Sequence, residues 1–172
     1  MNRFPLMAAA LAAAFLLAAC QADVGDDEER PAKAAVQEAP LVAPTSNDDN
    51  AWKTYLGQVI GRNMDGITER TFNYYLPAGT DPNEAGGPFE RMRNEVNQAV
   101  SRSVLPGNML TFSSPDSAMM ADLVVSAFQG EFVTATALKG SRVLFIGKAE
   151  DRERVQAAVE AVGGEFRFVE VK

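Results

Sequence analysis

The chain has 172 residues, 47% of them apolar and 23% charged, with a formal net charge of −7, one cysteine and no histidine. That length suits one ordinary domain, and without histidine the chain can build neither Ser-His-Asp nor Cys-His catalysis nor a histidine metal site. Residues 21–50 hold eight acids against Arg30 and Lys33, leaving 15 acids and 13 Lys and Arg in 51–172, so the bulk of the chain is near neutral and lacks the basic surface that nucleic acid requires.

In chain order, a short positive start with Arg3 is followed by LMAAALAAAFLLAA, residues 6–19, which carries no charge. Its 14 residues fall short of the roughly 20 that span a bilayer as a helix, and match the apolar region of a secretory signal peptide. The run ends in Leu17-Ala18-Ala19-Cys20, a branched apolar residue, two small ones and a cysteine. This resembles the lipobox of bacterial lipoproteins. The resemblance implies that 1–19 is a signal peptide cut between Ala19 and Cys20. It further implies that the Cys20 thiol carries diacylglycerol, that the new amino terminus takes a fatty acid such as palmitate, and that the chain is held at a lipid bilayer. Gln21 replaces the aspartate that retains lipoproteins of enteric bacteria in the inner membrane, which implies the outer membrane with the domain facing the periplasm. A plain secretory signal cut after Ala19 would instead leave Cys20 as a free thiol in an oxidising compartment, a liability.

Residues 20–50 contain three prolines, no aromatic residue and a surplus of acids, too little apolar surface to order a chain. They read as a tether between the acylated cysteine and a single domain over 51–172. A flexible coil of that length reaches about 30 Å on average. The acid cluster Asp26, Asp27, Glu28 and Glu29 reads as solvated charge.

Within the domain, Trp52, Tyr55, Leu56, Val59 and Ile60 fall at helical spacing and predict a helix to about Asn63. TFNYYLP, 71–77, alternates Phe72, Tyr74 and Leu76 against Asn73 and Tyr75 and predicts a strand with the first three inward and Tyr75 as the exposed ring. A loop of AGTDPNEAGGP leads to a helix from Phe89 to about Val104. MLTF, 109–112, is a second strand, after which Ser114-Pro115 predicts an N-cap with proline at the first helical position and a helix to Phe128. RVLFIG, 142–147, is the clearest buried strand, a helix follows from about Ala149 to Val162, and EFRFVEV, 165–171, is the last strand.

Alternation of strand and helix predicts an α/β fold, a small and mostly parallel sheet flanked by helices. EFVTATAL, 131–138, is rich in β-branched residues and leaves a second reading open, a ferredoxin-like β-α-β-β-α-β order over about 108–171. The parallel sheet is preferred because RVLFIG is apolar throughout, as in strands covered on both faces.

In such a sheet the turns after the strands share one edge, where ligands bind. Here they are 77–88, 113–117 and 147–151, and they offer Asp81, Glu84, Ser114, Asp116, Ser117 and Lys148 as a candidate ligand site, with Arg91, Ser113 and Asp151 nearby. Helix capping explains the same serines and acids. Gly86-Gly87-Pro88 has neither a Walker nor a dinucleotide pattern, and DPNEAG has Met92 where a calcium loop needs its closing glutamate. No serine has lysine three positions on, so that type of nucleophile is excluded too. No catalytic residue, metal ligand or cofactor is assigned. The expected function is non-enzymatic: an anchored envelope lipoprotein whose domain serves a periplasmic protein partner as a binding, assembly or accessory factor. The alternative is a small-ligand receptor or a carboxylate enzyme at the strand-end turns, with Glu84 and Asp116 as the pair that would have to converge.

Overall fold

The computed structural model describes residues 39–172; the signal segment, Cys20 and the tether up to residue 38 lie outside the described residues. Four strands, β1 (Thr71–Tyr75), β2 (Met109–Ser113), β3 (Arg142–Gly147) and β4 (Glu165–Glu170), form one all-parallel sheet in the order β1-β2-β3-β4. The α/β reading therefore holds. Helix α1 (Asp49–Arg62) precedes the sheet, and α2 (Pro88–Ser101), α3 (Ser117–Phe128) and α4 (Arg152–Ala161) make the crossovers, α4 preceded by a 3-10 turn at Ala149–Asp151.

Crossovers of one hand that all step in one direction must lay their helices on one face. Accordingly Tyr74, Leu110, Phe112, Val143 and Phe145 pack in one core with Val96 and Val100 of α2, Leu123 and Val124 of α3, and Val155 and Val159 of α4. The opposite face belongs to α1. Trp52, Tyr55, Leu56 and Val59 bury against Met109, Leu144 and Ile146. Every residue of β2 and all of β3 but Arg142 is buried, each large apolar side chain contributing roughly 1.5–3 kcal/mol. This two-sided cover is why RVLFIG has no polar alternation.

Residues 131–138 form turns rather than a strand. The β3 strand already has β2 and β4 on its two sides, so no free edge remains for EFVTATAL, and the ferredoxin-like order is not the one adopted. Its apolar end still packs, with Ala137 and Leu138 buried, and it is tied down by bonds from Val104 N to Ala137 O at 2.8 Å and from Leu138 N to Val162 O at 2.9 Å. The start of α3 also differs from expectation. Asp116, not Ser114, is the N-cap, accepting from Met119 N at 3.1 Å, while Ser114 Oγ accepts from Asp116 N one turn earlier. The packed unit, Ala39–Lys172, begins before residue 51: Ala43 is buried, Trp52 Nε1 donates to Ser46 O at 2.9 Å and Arg62 Nη1 to Ala39 O at 2.8 Å. Among the described residues no helix is long and apolar enough to cross a membrane.

Candidate functional site

The carboxyl ends of the strands carry the candidate ligand site. Ligand crevices in open α/β sheets open at a switch point, where successive crossovers diverge to opposite faces. A β1-β2-β3-β4 order has none. Instead the polar groups there bind one another. Ser117 Oγ donates to Asp151 Oδ2 at 2.5 Å and accepts from Lys148 N at 2.8 Å, joining the start of α3 to the turn after β3. Asp151 is 4% exposed and also accepts from Arg154 Nε at 3.0 Å and Nη2 at 2.6 Å. Arg154 in turn reaches Asp122 and Ala118 O; burial lowers its pKa, but the hydrogen bonds to Asp151 and Asp122 outweigh that and leave it raised.

The structure thus brings together Ser117, the Lys148 backbone and Asp151, and separately Ser114 with Asp116. The Lys148 side chain is exposed. Asp81 and Glu84 are exposed in a loop closed on itself, with Asp81 Oδ1 accepting from Asn83 N at 2.8 Å and Glu84 O from Gly87 N at 2.9 Å. Gly86 O accepts from Arg91 Nη1. Among the described residues no hydrogen bond or ion pair joins Glu84 to Asp116, and no three metal-binding side chains converge.

A largely apolar concavity lies at the other end of the molecule, a groove of about 570 Å³ between β1 and the second half of α2. Phe72, Tyr74 and Leu110 supply the sheet side, Ala99 and Glu95 the helix side, and Val104 and Leu105 the loop that follows. Asn108 closes its floor, accepting from Arg70 N at 3.1 Å and donating to Leu105 O at 2.7 Å. Ser103, also on the wall, holds φ at 64° where α2 ends, the left-handed position that usually carries glycine. Tyr74 stacks on Phe112 with ring centroids 5.1 Å apart, and burial together with the nearby Glu95 carboxylate raises its pKa. Phe72 remains 41% exposed and Leu105 73%.

The expected roles of two rings are therefore exchanged. Tyr75 is half-buried under α1, its hydroxyl donating to Asp49 Oδ1 at 3.0 Å; burial, that bond and the charges of Asp49 and Asp48 push its pKa upward. Phe72 is the exposed ring, because β1 is an edge strand and its α2-side face is only partly covered. The sequence did carry a signal for this. TFNYY holds no charge and no proline, whereas the other edge, EFRFVE, alternates charge, and charge on an edge guards it against pairing.

Comparison with known proteins finds no family model, no curated protein and no solved structure that matches this chain.

Proposed function

We propose that this chain is a lipid-anchored protein of the bacterial envelope, acylated at Cys20, whose tethered domain faces the periplasm, carries out no chemistry and works by protein contact through the β1 edge. One observation carries the reading. At the strand ends Ser117, Asp151 and the Lys148 N–H are committed to one another, while the apolar groove beside β1 leaves a large aromatic ring open to solvent next to a strand edge that is unpaired among the described residues. Such a combination suits an added strand with side chains seated in a groove. Acyl chains at about 0.8 kcal/mol per buried methylene make the anchor effectively permanent, and the tether lets the domain meet other proteins clear of the bilayer.

Two measurements test this in a bacterium with two membranes. Wild-type protein is expected to fractionate with the outer membrane and to incorporate labelled palmitate, and Cys20→Ser to lose both; a variant that keeps both refutes the anchor. Cross-linking in intact cells is expected to yield a product that Phe72→Lys abolishes; an unchanged product refutes the role of the edge.

A further inference from the structure

We infer that the strand edge is filled by a second copy of this chain, two β1 strands pairing antiparallel about a two-fold axis at Asn73 to make one continuous eight-stranded sheet. This rests on the reading that the domain works by protein contact at that edge, and it names the partner.

The hydrogen-bond parity of β1 sets the geometry. Met109 N donates to Arg70 O and Leu76 N to Ser113 O, so even-numbered residues of β1 aim their backbone at β2. Thr71, Asn73 and Tyr75 therefore aim N–H and C=O outward, at the side of the sheet that carries no strand among the described residues. An antiparallel copy centred on Asn73 meets all three, pairing Asn73 with Asn73 of the other copy and Thr71 with Tyr75 twice over. Each such pair exchanges two bonds, roughly six in all. The intervening Phe72 and Tyr74 then face each other across the seam at the closely spaced positions, on the face that carries the groove. Aromatic pairs there are the favourable ones.

Side-chain chemistry is self-complementary as an isologous contact requires. TFNYY brings no charge to the seam. Arg70 and Glu95, both exposed on the groove rim, make no ion pair among the described residues. Antiparallel pairing sets Arg70 opposite Leu76 of the other copy, beside that copy's Tyr74, whose neighbour is Glu95. Two Arg70–Glu95 pairs thus form across the axis.

The axis of an antiparallel strand pair stands perpendicular to the sheet, so both copies turn the same face the same way. Ala39 accepts from Arg62 at the end of α1, on the face opposite α2, α3 and α4. The described part of the chain therefore begins on the same face in both copies, an arrangement that suits two anchors in one leaflet. Confinement to that leaflet raises their effective concentration.

A cysteine at the axis is the direct test. In the acylated protein the Cys20 sulfur is consumed by lipid, so Asn73→Cys supplies the one free thiol. Its Cα lies about 5.5 Å from its symmetry mate in a hydrogen-bonded pair, within disulfide range. Mild oxidation in membranes is expected to give a covalent dimer with Asn73→Cys and none with Glu170→Cys at the far edge. In detergent, Phe72→Lys is expected to be monomeric with an unchanged circular dichroism spectrum. Arg70→Glu should raise the dimer dissociation constant roughly three- to tenfold, and Arg70→Glu with Glu95→Arg should restore it. A dimer that Asn73→Cys fails to capture, or a charge swap that restores nothing, overturns the seam. A monomer in which Phe72→Lys still abolishes a cross-link to a different protein overturns the second copy and leaves contact at this edge standing; a monomer with no such cross-link removes both.

Discussion

Replacing Asp151 with alanine tests whether the strand-end cluster is structural. The carboxylate is 4% exposed and accepts three hydrogen bonds, one from Ser117 Oγ and two from Arg154. Hydrogen bonds to a charged group are worth about 1.5–3 kcal/mol when buried. The Ser117 bond is of that kind, and its loss also strips a buried hydroxyl of its acceptor. The Arg154 side chain is 39% exposed and keeps Asp122 and Ala118 O, so its two bonds count for only about 0.5 kcal/mol each. The expected loss is about 3 kcal/mol, which for a domain of this size lowers the melting temperature by roughly 10 °C. Thermal unfolding followed by circular dichroism measures it. Ser117→Ala is expected to cost less, and the double variant to show a coupling of about 1–2 kcal/mol. An Asp151→Ala protein melting within about 2 °C of wild type, with a strictly additive double variant, would refute the reasoning and return Asp151 and Ser117 to the pool of functional candidates.

Gly147 packs where a Cβ would meet Ser117 Oγ at 2.5 Å and the Phe145 ring at 2.6 Å; Gly147→Ala is expected to destabilise by about 2 kcal/mol through overpacking, and an unchanged melting temperature would show that the turn after β3 has room to give. All three tyrosines, Tyr55, Tyr74 and Tyr75, have pKa values raised above 10.0, chiefly by burial. Because the folded values exceed the unfolded one, their contribution to stability is complete below pH 10 and is lost as pH rises through the folded values. Difference spectroscopy should therefore find little tyrosinate in the native protein at pH 10, and Tyr75→Phe should lose stability less steeply above it; native protein half-ionised at pH 10 contradicts this.

The buried interior was legible because composition reports it directly. RVLFIG reads as a strand covered twice, and the stripe Trp52, Tyr55, Leu56, Val59 gives α1 its inner face. What the sequence left open depends on which elements are neighbours. The β-branched run at 131–138 has the local character of a strand, but β2 and β4 occupy both sides of β3 and leave it no place in a hairpin there. Phe72 and Tyr75 likewise obey the same period-2 pattern whichever face is covered; their exchange of roles depends on α1 lying over Tyr75. At the strand ends the residue types were legible and their allegiance was not. Ser117, Lys148 and Asp151 are drawn together by a crossover that sequence alone does not close.

The location of the groove follows from the topology. Four strands wound in one direction have three gaps between them, and each crossover helix sits over the gap between the strand it leaves and the strand it enters. Three helices fill three gaps and leave the outer half of each edge strand uncovered on that face. At β4 the deficit is made good by side chains. Phe168 stacks on Phe145 with centroids 6.3 Å apart, and the Arg152 guanidinium lies 5.6 Å over its ring. At β1, Tyr74 finds Phe112 in the same way, but among the described residues Phe72 finds no such cover and its α2-side neighbours, Arg70 and Glu95, make no ion pair. In the row that runs Phe72, Leu110, Val143 and Phe166, both edge strands carry an aromatic ring; Phe166 packs against the core, whereas Phe72 is left 41% exposed. The isolated domain therefore buries only part of the Phe72 ring, and a second strand laid against β1 would cover the rest.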